Sequence, residues 1–274
     1  MSSEIFMDKD LKKKIHDSMV SLKGKSVIIA FSGGVDSTVV AHLTQKVCKD
    51  ILLITVISEW ISDYEIEEAQ AISEYLKIPH DILKVNIKKH LWDNPPDRCF
   101  HCKLFIFSRL LEYCSQKGFD IVVDGTNASD IIGHRPGLKA LKQLGIHSPL
   151  LQGNITKEEV RQIAMHNNLP IANKPAMACL ASRIPYGEKI TLEKLTRVEE
   201  GEKFLRELGF SRQLRLRDHN TIVRIEIDSK DFTTLLEKDT INQIVEKLHS
   251  LGYSFVTLDL EGYRPSIPEN KENS

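Results

Sequence analysis

With 274 residues, 41% of them apolar and 27% charged, the chain can bury the core of one large domain, or of a medium and a small one. A net charge of −1 with no single-sign half lacks the footprint of a nucleic-acid binder, so no nucleic-acid partner is expected. The longest apolar stretch, residues 51–57, is far too short to cross a bilayer, and the lysine-rich residues 1–14 carry no secretory core; a cytoplasmic protein with no membrane partner is expected. Five cysteines in such a chain read as thiols, metal ligands or catalytic groups rather than as a disulfide framework.

Leu11, Ile15, Met19, Val20 and Leu22 recur at close to helical spacing until Gly24, which predicts a lead-in helix beneath the first strand. That strand is the apolar run 27–31. It enters Ser32-Gly33-Gly34-Val35-Asp36-Ser37 and then a helix over residues 38–48. Strand, glycine turn and helix N-terminus make an anion site, because the glycines let successive N–H groups converge and the helix dipole adds positive charge. Ser32, Ser37 and Thr38 add hydroxyl donors, and Asp36 beside a phosphate calls for a cation such as Mg²⁺. An ordinary strand-to-helix turn is the plainer alternative. The loop has neither the Gly-Lys-Ser/Thr of a Walker loop nor Gly-x-Gly-x-x-Gly.

Further strands are expected at 51–58, 80–87 and 119–123, with a helix over 65–76. Apolar strands alternating with helices imply an α/β fold, a parallel sheet covered on both faces with ligands beyond the strands' carboxyl ends. Glu59, Trp60 and Ser62 then lie near a nucleotide on the first loop. Residues 94–103 form a loop carrying Cys99 and Cys102 into an amphipathic helix that ends near Lys117-Gly118. The fourth strand finishes in Asp124-Gly125-Thr126-Asn127-Ala128-Ser129-Asp130, which reads either as a site or as an Asx-rich turn. Arg135 follows, a phosphate or carboxylate clamp or simply a surface arginine. Thr156-Lys157-Glu158-Glu159 is a capping box opening a helix to about Asn167. Residues 174–187, with two prolines bracketing Cys179 and Arg183, have the composition of a functional loop.

Beyond Glu188 the pattern becomes helix (192–208), strands (213–217 and 222–228), helix (241–251) and strand (255–260), so two domains are expected, 1–188 and a small α+β domain 189–265, with a disordered polar tail 266–274. Arg215 and Arg217 alternate on a strand and share a face, either to hold a phosphate or as solvated edge-strand arginines. Cys48 and Cys114, among apolar neighbours in helical segments, read as core.

Ser32 to Ser37 resembles the SGGxDS loop of the ATP pyrophosphatases (PP-loop enzymes), which split ATP into AMP and pyrophosphate to activate a carbonyl or carboxylate. The ordered set SGGVDS, DGTNASD with RPGLKAL, CLASRIPYG and the later Arg215-Leu216-Arg217-Asp218-His219 and residues 253–259 looks like the LarE family, over roughly residues 11–265. That resemblance implies a sulfur transferase for pyridinium-3,5-biscarboxylate mononucleotide in nickel-pincer cofactor synthesis: ATP adenylates a carboxylate, and sulfur from sulfide or another donor displaces AMP. It further implies that Ser32, Gly33, Gly34, Asp36, Ser37, Thr38, Gly125, Thr126, Arg135 and Arg183 bind the nucleotide, that Arg215 and Arg217 take the substrate phosphate, and that Cys179 with Asp36 carries the chemistry. A homo-oligomer is expected. Single-cysteine members surrender the cysteine sulfur and become dehydroalanine. Cys99 and Cys102 add two thiols here, as in the three-cysteine branch, where with Cys179 they hold a [4Fe–4S] cluster whose open iron takes an extra sulfide. A zinc half-site, with His101 or His134 as weak further ligands, or a redox pair remains open for the Cys-x-x-Cys, and the rival readings are a tRNA-thiolating enzyme or a nucleotide- or cluster-binding protein without turnover.

Overall fold

The run Val27-Ile28-Ile29 is apolar at every position, so a strand formed there needs cover on both faces. In the computed structural model, which describes residues 7–131, 136–175, 178–211 and 213–264, it lies in β1 (Ser26–Ala30). Around it stand α1 (Lys9–Met19), α2 (Val35–Thr44), β2 (Asp50–Ile57), α3 (Asp63–Leu76), β3 (His80–Lys84), α4 (Arg98–Lys117), β4 (Ile121–Val123), α5 (Pro136–Gln143), α6 (Pro149–Gln152) and α7 (Lys157–His166). The four strands pair in parallel in the order β3-β2-β1-β4. Val27 and Ile29 pack with Val39 of α2, Ala69 of α3 and Val160 of α7, while Ile28 packs with Phe107 and Leu110 of α4 and Leu141 of α5. The fold is therefore the α/β arrangement expected of a PP-loop domain.

Three local expectations are corrected. The third strand, expected over 80–87, ends at Lys84, and as the edge strand β3 it leaves Ile82 45% exposed. Helix α2 starts at Val35, with extended Gly34 as its N-cap, and stops at Thr44, so Cys48 sits in the turn beyond it; its thiol donates to Leu22 O at 3.6 Å, and burial pushes it up to about 11. Helix α4 starts at Arg98, so Cys99 and Cys102 lie within it rather than on the preceding loop.

The chain divides into two units, Met1–Leu91 with Pro95–Lys174, and Trp92–Asn94 with Pro175–Ser274. The second unit contains a 3-10 turn (Leu180–Arg183), α8 (Leu192–Glu207), β5 (Leu214–His219), β6 (Ile222–Ile227), α9 (Phe232–Leu235), α10 (Lys238–Ser250) and β7 (Phe255–Leu258). β5 and β6 are antiparallel, whereas β7 lies parallel to β6, which the helical crossover permits. Leu214, Leu216, Val223, Ile225 and Ile227 face Leu205, Ile244 and Leu248 in its core. A Cβ on Gly201 would come within 2.4 Å of Leu216 Cδ1, so α8 lies close against β5 at this residue. Buried Asp218 accepts from Arg197 Nε at 2.6 Å and from Tyr253 OH at 3.0 Å, which gives two positions singled out in the sequence a structural role. No helix among the described residues is long and apolar enough to cross a membrane. The expectations for the tail 266–274 and for His134 and Arg135 fall outside the described residues.

Candidate functional site

In the first unit, β1 has β2 on one side and β4 on the other, so the topological switch point lies between the carboxyl ends of β1 and β4. Both loops expected at a nucleotide arrive there. Gly33 has φ 62°, and a Cβ on it would meet the Ala69 backbone at 2.7 Å; the loop can lie against α3 only as glycine. Gly34 caps α2 without a side-chain hydrogen bond, which leaves the first-turn N–H groups open to an anion. The hydroxyls around it are held loosely: Ser32 N and Ser32 Oγ each lie 3.4 Å from Ser37 Oγ, and Ser37 Oγ donates to Gly34 O at 3.2 Å. Fully buried Thr38 has no partner for Oγ1 among the described residues. A Cβ on Gly125 would meet Ser37 N at 2.8 Å, which brings the fourth-strand loop directly onto the α2 N-terminus.

The polar residues of that second loop hold one another. Thr126 Oγ1 and Ser148 Oγ both donate to buried Asp124. Asn127 Oδ1 accepts from Ser129 N at 2.9 Å, an Asx turn, while its Nδ2 donates to Asp36 Oδ1 at 3.1 Å. The Asx turn expected as one alternative is thus present, and it lies beside Asp36. Asp36 Oδ2 is also paired with the Lys157 ammonium. Lys174, 6% exposed, donates to Gly33 O at 3.0 Å and pairs with Glu68 Oε2 at 2.8 Å, fixing the left-handed glycine from below. Lys157 and Lys174 were not read as site residues. Lys157 carried no signal beyond its place in the capping box, and a lysine opening a proline-bracketed loop was the available hint for Lys174.

The residues after β2 serve the fold. Glu59 Oε2 accepts from Ile87 N at 3.1 Å, Ser62 Oγ caps α3 at Glu65 N, and the Arg98 guanidinium lies 5.9 Å from the Trp60 ring centre. The last contact fixes the start of α4. Cys99 and Cys102, half-buried, stand three residues apart in its opening turns. His101 Nε2 lies 2.9 Å from Asp97 Oδ2. Among the described residues, no three His, Cys, Asp or Glu side chains group closely enough to hold a metal ion.

Cys179 belongs to the second unit, at the head of the 3-10 turn Leu180–Arg183. Arg183, 5% exposed, grips Glu202 with Nε at 2.7 Å and Nη2 at 3.1 Å, and its Nη1 donates to Ala178 O at 2.7 Å. Burial alone would raise the Glu202 pKa, but the Arg183 and Arg206 charges carry it below the usual carboxylate range. Arg183 therefore shapes the cysteine turn in this structure. Glu202 was missed, although an acid at the i, i+3, i+7, i+10 spacing of Leu195, Val198, Glu202 and Leu205 is a signal of a buried ion pair. Arg217 Nη1 donates to Ser182 O at 2.6 Å and its Nε to Glu226 Oε1 at 2.9 Å, so the cysteine turn and β5 are fastened together. Arg224 shares the same Glu226 oxygen at 3.0 Å. Arg215, 7% exposed, has no carboxylate partner among the described residues; it makes only long contacts, to Tyr263 OH at 3.3 Å and Arg264 O at 3.4 Å, with the Tyr263 ring centre 4.9 Å away. Burial, with the Arg183 and Arg217 charges, lowers its pKa. A buried, under-partnered guanidinium is suited to an anion.

The profile of the family described as "Queuosine biosynthesis protein QueC" matches residues 26–95, which include the glycine loop. An uncharacterized protein of Synechocystis sp. is 39% identical over 86% of this chain and 89% of its own length. An uncharacterized protein of Methanocaldococcus jannaschii is 31% identical over 95% of this chain and 99% of its own. A protein of Lactiplantibacillus plantarum named pyridinium-3,5-bisthiocarboxylic acid mononucleotide synthase is 35% identical over 87% of each chain. Identity at that level along most of both chains, together with the glycine loop at the switch point of a parallel sheet, establishes that this chain belongs to the LarE family of PP-loop enzymes.

Proposed function

We propose that the protein is an ATP-dependent sulfur transferase acting on pyridinium-3,5-biscarboxylate mononucleotide, a step toward the nickel-pincer nucleotide. A substrate carboxylate oxygen attacks the α-phosphorus of ATP and pyrophosphate leaves. Sulfur then attacks the acyl carbon and AMP leaves, giving a thiocarboxylate. The observation that carries this reading is that Arg217 ties the Cys179 turn to the strand that bears Arg215, so one small unit offers both a thiol and a charge for a mononucleotide phosphate. The first-turn N–H groups of α2 that Gly34 leaves uncapped fit a polyphosphate, and the Asp36 carboxylate, now paired with one cation, fits Mg²⁺ in its place, which would supply charge to the leaving pyrophosphate. Incubating the protein with the mononucleotide, Mg²⁺, ATP and sulfide tests the reading: the substrate should exchange oxygen for sulfur with a matching mass change, and recovery of unchanged substrate would refute it.

The finer reading is that Cys99, Cys102 and Cys179 hold a [4Fe–4S] cluster whose open iron would carry an extra sulfide, taken from sulfide or another donor. Its support is the helical spacing of Cys99 and Cys102, which suits two thiolates on one metal centre. The described residues do not form an assembled three-thiolate group, so no step above is routed through a cluster. Strictly anaerobic protein should be brown, with iron lost on Cys99→Ser. Iron-free protein that loses the mass of H₂S in one turnover would leave Cys179 as the sacrificial donor. Residues 1–188 are assigned to nucleotide activation and 189–265 to the substrate and to self-assembly into a homo-oligomer, which light scattering tests.

A further inference from the structure

The Asp36–Lys157 pair is not accounted for by the reading above. Asp36 stands in the first turn of α2, facing the region where an anion would bind, and Lys157 is the first residue of α7. The Lys157 backbone is fixed twice, by the capping box of Thr156 and Glu159 and by its own N–H, which donates to Ser129 Oγ at 3.0 Å. Its side chain is 29% exposed and that of Asp36 27%, so the pair is reachable from solvent while its backbone ends are held. Asp36 is the one ion-pair partner of Lys157 among the described residues. Asn127 occupies the other carboxylate oxygen.

An ammonium and a divalent cation cannot share one carboxylate oxygen without strong repulsion, because both charges would lie within a few ångströms of each other. The ammonium must then move to another anion, and the nearest available one is the polyphosphate itself. We propose that Lys157 is an exchangeable counter-ion of the nucleotide site: it neutralises Asp36 in the nucleotide-free protein and, on its flexible four-carbon arm, transfers to the phosphate oxygens when Asp36 takes the metal. The exchange leaves the Asp36 carboxylate with a cationic partner in both states. It also makes metal binding without nucleotide weak, so that metal and ATP enter together. This inference rests on the sulfur-transferase reading for its use of ATP and Mg²⁺.

Mn²⁺ binding to the intact, nucleotide-free protein, followed by electron paramagnetic resonance, separates the possibilities. Lys157→Met should tighten Mn²⁺ binding by about tenfold, since a competing like charge is removed. In saturating Mn²⁺, the same variant should bind ATP more weakly by about tenfold, since a phosphate counter-charge is lost. Lys157→Arg should behave like the parent in both assays, and Lys157→Gln, which keeps a hydrogen bond to Asp36, should follow Lys157→Met. If Lys157→Met and Lys157→Gln leave Mn²⁺ affinity unchanged while Asp36→Asn abolishes it, the counter-ion inference is overturned and the nucleotide reading stands. If the parent protein binds neither Mn²⁺ nor Mn²⁺–ATP, both fall together.

Discussion

The first unit's loop cluster and the second unit's arginine face treat charge in opposite ways. Around α2 every described acid has a donor: Asp36 meets Lys157 and Asn127, and Asp124 meets Thr126 and Ser148. On the polar face of β5 and β6, Arg217 and Arg224 share one oxygen of fully buried Glu226, and Arg215, directly opposite Glu226 in register, is left without a carboxylate. A balanced cluster holds its shape and binds by exchanging one partner for another, whereas an unbalanced one already carries the desolvation cost that an anionic ligand would offset. The contrast matches the chemistry proposed for each, a metal–nucleotide pair in one and a lone phosphate in the other.

The largest effect that sharpens this comparison is expected at Asp36. Asp36→Asn should lower AMP formation by about 10²–10³-fold, the usual scale for losing one charge-stabilising group, with the fold intact by circular dichroism. A loss below tenfold would mean that Asp36 does not serve the leaving group.

Next comes a pair of arginines that should part company. Arg183→Met leaves buried Glu202 with only the longer Arg206 contact at 3.6 Å and the Leu216 N–H, and should cost about 3 kcal/mol of stability at neutral pH, the low end for breaking a buried pair. Because the folded pKa of Glu202 is lowered, the stability it contributes is fully present above its unfolded value of 4.5 and is lost as pH falls through the lower folded value. The gap between parent and variant in urea titrations should therefore narrow on acidification below 4.5. Arg215→Met should leave stability unchanged or raised, yet increase KM for the mononucleotide by about tenfold. Equal destabilisation by the two variants would erase the distinction between a balanced and an unbalanced guanidinium.

Gly125→Ala probes the close approach at the switch point. The added methyl would press on the Ser37 backbone, and about 1–3 kcal/mol of strain, with weaker ATP binding, is expected. Thr156→Ala removes the capping box of α7 at a cost of about 1 kcal/mol, the smallest effect of the set.

The sequence made the strands and helices of the first unit legible because its strands are apolar at successive positions and its helices carry explicit caps, as at Thr156 and Gly118. The glycines at 33 and 125 were legible as turn residues, and each sits where backbone meets backbone. What stayed hidden was long-range pairing. Lys157 reaches Asp36 across 121 positions, and Lys174 reaches Gly33 across 141; nothing local encodes either. The register that sets Arg215 opposite Glu226 was likewise invisible until β5 and β6 were paired. The placement of Cys99 and Cys102 erred by a single step, since Asp97 starts the helix without a side-chain cap and gives no boundary signal.

The account's central claim is that a PP-loop opens ATP at the α-phosphorus so that a carboxylate can accept sulfur. The most direct measurement is the identity of the nucleotide products when the protein turns over with the mononucleotide, Mg²⁺–ATP and sulfide. AMP and pyrophosphate in equal amounts, appearing with the thiocarboxylate, are the predicted result. ADP with inorganic phosphate would contradict it.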